Sequence, residues 1–257
     1  MDARARGLHP LAGSQGFLTE ARRRRVGALA AAGAFAAGTA LATPEVAVDV
    51  GHTLSEGGAT SARGRSEFDF NRVLAERLVG ELQGRRLLTR PINFDGRIGS
   101  LAARAEEATG ADLLISIHHD SVHADLLQEW DWQGATHTYS DLHSGFALFV
   151  SRRNAGLALS LRCASAIGAR LRRMGFAAAT HHARPLAGPA RPAADETNAV
   201  HYYDNLVVLY RSTLPALLFE AGVIKHRGEE LRLRDPEQQA RMADAIATGI
   251  AACLYPR

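Results

Sequence analysis

The sequence predicts a single-domain α/β protein in which helices cover a mostly parallel sheet. Short β-rich runs alternate with helical segments, beginning with VAVDVGH at residues 46–52. The first two helical segments carry apolar residues at helical spacing and end at Gly84 and Gly110. Because strand–helix–strand alternation requires crossover connections, we expect a mostly parallel sheet as the middle of three layers.

The predicted elements follow one another without an internal repeat. The first half predicts a strand at 46–52, a helix at 70–84, a strand at 86–90, a helix at 98–110 and a strand at 112–118. The second half predicts a strand at 145–151, a helix at 160–175, strands at 205–211 and 215–222, and a helix at 236–254 with Pro236 near its first turn. Two insertions, around 121–144 and 181–204, are expected to be irregular.

Residues 1–42 have the composition of a signal peptide. The cationic run ARRRR precedes a stretch of small apolar residues, and Ala40 to Ala42 form a small-x-small cleavage pattern. The apolar stretch is short and weak for a membrane span, although an uncleaved anchor or an amphipathic helix is the alternative. We expect the remaining domain, 43–257, to be exported to the periplasm or cell envelope with no stable membrane span after signal removal.

Charge and cysteine content exclude some classes of function. The net charge is +3, but residues 1–42 carry net +4, so the rest of the chain is about −1. This distribution does not indicate nucleic-acid binding. Cys163 and Cys253 both lie in helical segments and lack metal-ligand spacing. We expect small core residues; export would permit a disulfide, but the sequence does not define the distance between them.

Four polar residues occur near the ends of predicted strands or the start of a helix. His52 follows VAVDVG, His118 follows DLLISI, Glu220 follows PALLF, and Glu67 opens a helix. The carboxyl ends of parallel strands meet at one edge of a sheet, where sites form. Two imidazoles and a carboxylate are a catalytic zinc donor set, and a second carboxylate can act as general base. Each residue alone also fits a loop or helix-end position; the joint pattern favours a site.

The motifs carrying these residues resemble one family. VAVDVGHTLSEGG, ADLLISIHHDS and LPALLFEAGV are similar to zinc-dependent N-acetylmuramoyl-L-alanine amidases, peptidoglycan hydrolases with a phosphorylase/hydrolase-like α/β fold. The resemblance implies one Zn²⁺ held by His52, Glu67 and His118, with Glu220 as catalytic acid/base. It also implies hydrolysis of the amide bond between N-acetylmuramic acid and the L-alanine of the stem peptide in peptidoglycan.

The sequence departs from the family pattern beside the third ligand. His119 and Asp120 stand where the family commonly has Ala-Asn. Side chains alternate along a strand, so His119 is expected to point away from His118 and to support or anchor the site from outside. Asp120 is expected to be a loop residue.

The insertions and the metal chemistry leave alternatives open. Residues 124–132, ADLLQEWDW, predict either a short autoinhibitory helix, which would require an activator protein, or a rim of the substrate groove. Trp130 and Trp132 fit packing somewhat better than glycan contact. The rival functions are a zinc peptidase or carboxypeptidase of the cell envelope and a non-catalytic cell-wall-binding relative.

Overall fold

A seven-stranded mixed sheet forms the middle layer of the fold. The computed structural model describes residues 42–183 and 190–255, so nearly all of the predicted signal peptide lies outside the described residues. In chain order, the strands and helices are β1 (Glu45–Val50), α1 (Glu67–Gly84), β2 (Leu88–Ile92), α2 (Leu101–Glu107), β3 (Leu113–Asp120), β4 (Gln128–Trp132), β5 (Ala135–Tyr139), β6 (Ala147–Val150), α3 (Leu157–Arg173), β7 (Ala193–Asp195), β8 (Val200–Tyr202), α4 (Val207–Arg211), β9 (Ala216–Val223), α5 (Arg227–Arg234) and α6 (Pro236–Leu254).

The sheet has the order β2-β1-β3-β9-β6-β8-β7. Its first four strands are parallel to one another, and β6 pairs with β9 in the antiparallel direction. Strands β6 and β8 are parallel, and β7 is an antiparallel edge strand. The expected mostly parallel sheet is therefore confirmed, and the carboxyl ends of β1, β3 and β9 lie side by side.

Helices cover both faces of this sheet. Alternate residues of β1 enter different cores: Val46, Val48 and Val50 pack on the face covered by α1, α3 and α6, whereas Ala47 packs on the face of α2 and α4. This division follows from the two-residue period of a strand and confirms the three-layer arrangement.

Helix α1 carries a continuous apolar stripe and positions the start of the functional region. Phe70, Leu74, Leu78 and Leu82 recur every four residues, and each is at most 1% exposed. Burying each such side chain stabilises the fold by about 1.5–3 kcal/mol relative to exposure. The Ser66 hydroxyl accepts a hydrogen bond from the Asp69 amide, so the helix begins at Glu67.

Two predictions for the second half of the chain are wrong. The stretch 181–204 was expected to be irregular, but it contains β7 and β8, which form one edge of the sheet. Residues 205–211 were expected to form a strand, but Val207–Arg211 form α4, whose Val208 and Leu209 are buried in the second core. A short apolar run fits either state by periodicity, and here packing beside α2 selects the helix.

Of the two alternatives left open for 124–132, the short helix does not form. Only Ala124–Leu126 form a 3₁₀ turn, and β4 and β5 follow as an antiparallel hairpin. The connecting residues Gln133 and Gly134 both have positive φ, 52° and 81°, as a tight two-residue hairpin loop requires. Trp130 and Trp132 are half-buried against each other, with the Arg63 guanidinium 5.2 and 4.8 Å from their ring centres, so both are packing residues that join the hairpin to the loop containing Arg63.

A disulfide between Cys163 and Cys253 joins α3 to α6. Both cysteines are buried in the larger core, so they are core residues as predicted and are also paired. None of the helices in the described ranges combines the length and apolar character that a membrane crossing requires.

We expect removal of this disulfide to lower the free energy of unfolding. The bond closes a loop with a sequence separation of 90 residues. For a loop of this size, the chain-entropy model predicts that the disulfide raises the free energy of unfolding by about 4–5 kcal/mol, because it restricts the unfolded chain. The Cys163→Ala/Cys253→Ala variant should unfold at a lower urea concentration than the wild type. Reductant should destabilise the wild type but leave the variant unchanged; a wild type that is insensitive to reductant would contradict the pairing.

Candidate metal centre

Three of the four sequence-predicted site residues meet at the carboxyl edge of the sheet. His52 lies two residues beyond β1, Glu67 is the first residue of α1, and His118 lies near the end of β3. His118 and Glu220 were expected at or just after the ends of their strands; they lie within the last residues of β3 and β9 and are register partners. The adjacent, parallel strands thus carry both side chains to the same edge.

The Glu67 carboxylate contacts both imidazoles. Its Oε2 lies 3.0 Å from His52 Nε2, and its Oε1 lies 2.9 Å from His118 Nδ1. The two imidazole rings meet edge to face with their centres 5.0 Å apart. Glu67 is buried, His118 is mostly buried and His52 is about one-third exposed, so the cluster is open to solvent on the His52 side.

Charge compensation keeps the buried Glu67 ionised. Burial raises the pKa of this carboxyl, but hydrogen bonds with His118 and His52 and their positive charges hold the pKa well below its usual range. The carboxylate also accepts hydrogen bonds from the Ala59 amide and the Asn71 side chain. Its position in the first turn of α1 adds the favourable field of the helix N-terminus.

The loop that carries His52 is held in a strained conformation. His52 has φ 66°, in the left-handed region, which costs about 1–3 kcal/mol for a residue other than glycine. Its carbonyl oxygen accepts hydrogen bonds from Asn93 Nδ2 and Arg104 Nη2, both at 2.6 Å. Asn93 and Arg104 also donate to the carbonyl of Val50. These buried contacts hold the imidazole beside Glu67.

Two glycines allow the backbone to approach the cluster closely. A Cβ on Gly51 would lie 2.3 Å from His118 Nε2. A Cβ on Gly58, whose φ is +75°, would lie 2.6 Å from both Glu67 Oε2 and His52 Cδ2. Any larger residue at either position would have to displace the side chains of the cluster.

His119 lies outside the cluster. It is buried, and its Nδ1 is 2.8 Å from Asn71 Oδ1, while Asn71 Nδ2 donates to Glu67 Oε1. Burial lowers the pKa of His119 to about 3, so its ring is neutral at physiological pH. The His119 side chain therefore reaches Glu67 through Asn71, as expected for a residue that supports the cluster from outside.

Glu220 places a second carboxyl group beside these residues. Its Oε2 is buried and has no hydrogen-bond partner among the described residues. Burial raises the pKa of Glu220 well above its usual value, and the negative charges of Asp120 and Glu67 raise it further. A carboxyl group whose pKa is raised in this way is a candidate for an acid or a base.

Asp120 was predicted to be a loop residue, and this prediction is wrong. It ends β3, which continues beyond the expected last residue because Asp120 still pairs with Val223 of β9. The Asp120 carboxylate contacts His181 and His182, which the sequence analysis placed in an irregular segment. The sequence feature that could have indicated a site at His181 and His182 is that two histidines are adjacent there. For Asn71, the signal was its position four residues after Glu67 on one helix face.

The donor atoms of His52, Glu67 and His118 fit a metal ion. All three lie within 4.8 Å of one another. A tetrahedral Zn²⁺ with bond lengths of about 2.0–2.1 Å separates its ligand atoms by about 3.3 Å, close to the carboxylate–imidazole distances of this cluster. A protein set of two imidazoles and one carboxylate leaves the fourth position of such an ion for water or substrate.

These observations define the class of protein, and sequence comparison defines the family. The three-layer sheet and the polar cluster at its carboxyl edge describe an α/β enzyme with a candidate metal centre. The family model described as N-acetylmuramoyl-L-alanine amidase matches residues 46–252. The chain therefore belongs to the N-acetylmuramoyl-L-alanine amidase family.

Solved structures of amidases share the fold. The N-acetylmuramyl-L-alanine amidase of Mycobacterium smegmatis has a TM-score of 0.65 at 20% identity, over 82% of this chain and 96% of that one. The catalytic domain of the CwlV amidase from Bacillus (Paenibacillus) polymyxa has a TM-score of 0.61 at 23% identity, over 82% and 98%. The Clostridioides difficile CwlD amidase, in complex with the GerS lipoprotein, has a TM-score of 0.61 at 17% identity, over 82% and 98%. No curated protein sequence matches the chain significantly.

Replacing Gly51 by alanine should weaken metal binding at this centre. The added methyl group would collide with the His118 ring and turn its Nδ1 away from Glu67. We expect Gly51→Ala to lower Zn²⁺ affinity at least tenfold, measured by competition with a chromophoric chelator.

The matched control is Gly80→Ala on α1, where a Cβ would meet no atom within 4 Å. This variant should bind Zn²⁺ as the wild type does, with equal or higher stability because alanine favours the helix. Equal Zn²⁺ affinity of Gly51→Ala and the wild type would contradict the role of His118 as a ligand.

Proposed function

We propose that this protein hydrolyses the amide bond between N-acetylmuramic acid and the L-alanine of the stem peptide in peptidoglycan, using one catalytic Zn²⁺. The observation that carries the proposal is the meeting of His52, Glu67 and His118 beside the unpaired Glu220 carboxyl. Membership of the amidase family supports the substrate class.

In this proposal, His52 Nε2, a Glu67 carboxylate oxygen and His118 Nδ1 hold the metal. A zinc ion supplies Lewis-acid polarisation of a carbonyl group and increases the acidity of water. The buried neighbours of these residues hold them in position. Asn71 orients Glu67, and the Asn93 and Arg104 side chains fix the His52 backbone, so the ligands need no rearrangement to bind.

Glu220 transfers the protons of the reaction. As general base, its carboxylate removes a proton from the water that attacks the lactyl carbonyl carbon. The carbon–nitrogen bond then breaks, and the protonated Glu220 donates this proton to the departing amine of L-alanine. The water oxygen stays on the muramic acid as a carboxylate, and the freed stem peptide begins with an amino group.

We propose that the protein acts outside the cytoplasm, in the periplasm or cell envelope. The N-terminal composition supports export by a signal peptide. The disulfide between Cys163 and Cys253 fits an oxidising compartment. Because residues 124–132 form no inhibitory helix, we expect cleavage by the purified protein without an activator protein.

Digestion of purified peptidoglycan tests the reaction. The protein should release stem peptides with a free L-alanine amine, identified by mass spectrometry and amine labelling. Chelation should abolish this release, and stoichiometric Zn²⁺ should restore it. Cleavage confined to bonds within the stem would contradict the amidase proposal and favour a peptidase.

Replacing Glu220 by glutamine tests the proton-transfer role. Glu220→Gln keeps the size of the side chain but cannot accept the proton, so we expect kcat to fall by about 10²–10⁴-fold with zinc content unchanged. Glu106→Gln is the control, because it makes the same substitution at an exposed residue of α2; this variant should keep full activity. Full activity of Glu220→Gln would exclude its proposed role.

A further inference from the structure

A second group of metal-ligand side chains lies at the same edge of the sheet. Asp120 Oδ2 is 2.8 Å from His181 Nε2 and 3.0 Å from His182 Nε2. These three donor atoms lie within 4.8 Å of one another. The group has the same composition as the first cluster, two imidazoles and one carboxylate, but shares no residue with it.

The two histidines converge although they are neighbours in sequence. They lie in a 3₁₀ turn, His181–Ala183, and their ring centres are only 4.0 Å apart. Stacking by His143 holds the His181 ring, with centres 4.7 Å apart, and the edge-to-face contact of Phe149 holds the His182 ring at 4.9 Å. Packing therefore fixes both imidazoles toward one carboxylate oxygen.

Hydrogen bonding accounts for only one of the two imidazole contacts. His181 Nε2 is hydrogen-bonded to Asp120 Oδ2 at 2.8 Å. His182 Nε2 lies 3.0 Å from the same oxygen, yet it is buried and makes no hydrogen bond within the described part of the chain. A buried polar atom without a hydrogen bond requires an explanation, and an ion is one of the few. The three side chains are 11–15% exposed, so the group is shielded but still reachable from solvent.

We propose that Asp120, His181 and His182 bind a second divalent transition-metal ion of the zinc class. Imidazole and carboxylate ligands suit such ions, and three protein donors leave room for water or another ligand. The site is distinct from the one formed by His52, Glu67 and His118.

The second site lies beside the same reactive carboxyl as the first. Asp120 follows His118 by two residues on β3, and His118 is the register partner of Glu220 on β9. Glu67 of the first cluster and Asp120 of the second both act electrostatically on Glu220. The chain thus presents two donor sets close enough to the proposed catalytic glutamate to act on its charge. The rival explanation is a purely structural contact that ties residues 181–183 to the end of β3.

Metal stoichiometry tests the proposal without substrate and does not depend on the amidase reaction. The purified full-length protein is dialysed against buffered free Zn²⁺, and bound zinc is measured by mass spectrometry. We expect about two equivalents for the wild type, about one for His181→Ala/His182→Ala, about one for His52→Ala, and none for the triple variant. His123→Ala is the matched control, because His123 pairs with Asp125 at 3.1 Å in a surface contact without a third donor; it should bind two equivalents.

The Asp120→Asn variant tests the site independently, in case the histidine variants fail to fold. The amide keeps the shape and can still pair with an imidazole, but it is a much weaker metal ligand, so this variant should fold normally and bind one equivalent. One equivalent in the wild type would overturn the second site. Two equivalents in folded Asp120→Asn or in the double histidine variant would also overturn it. Variants that lower thermal stability equally with and without chelator, with stoichiometry unchanged, would establish the structural contact instead.

Discussion

The buried Glu67 carboxylate connects three separate elements of the fold. It stands at the start of α1, contacts an imidazole from the loop after β1 and another from β3, and accepts backbone and Asn71 hydrogen bonds. An unpaired carboxylate in this position would be strongly destabilising, so these partners must be present together. Every other feature of the metal centre depends on keeping them within hydrogen-bond distance of Glu67.

Buried polar contacts around the site keep the partners of Glu67 within hydrogen-bond distance of it. Arg104 comes from α2, on the opposite face of the sheet from α1, and reaches over the sheet edge to the carbonyls of Val50 and His52. Asn93 reaches the same two carbonyls from the end of β2. The strained His52 backbone is stable because two neighbouring elements fix it, which holds the candidate ligand His52 beside Glu67.

The candidate functional side chains lie at one edge of the sheet because adjacent strands end there together. His118 and Asp120 extend from β3, and Glu220 extends from β9, next to β3. The buried Glu220 carboxyl thereby lies near two groups of potential metal-ligand side chains. The insertions contribute unequally: the 121–144 segment adds a hairpin whose Trp130 and Trp132 pack against each other and against Arg63, whereas the segment from 181 adds His181 and His182 beside Asp120.

Much of this arrangement could be predicted from sequence. The long amphipathic segments of α1, α3 and α6 have strong helical periodicity, and their positions were predicted to within a few residues. The short elements were harder. Val207–Arg211 contains β-branched residues and fits a strand locally, yet it packs as a helix. The hairpin had two signals in the sequence: the two-residue spacing of Trp130 and Trp132, which is the period of a strand, and Gly134 at the turn.

The sequence by itself determined the α/β class, the order of the main elements and the candidates His52, Glu67, His118 and Glu220, because strand alternation and strand-end position are local properties. Only the tertiary structure decided that Asn71, Asn93 and Arg104 hold the cluster, that Cys163 meets Cys253, and that Asp120 meets the histidine pair at 181–182. Apart from Asn71, which lies one helical turn after Glu67, these partners are 41 to 90 residues apart, and their contacts arise from sheet order and packing, which no local pattern encodes.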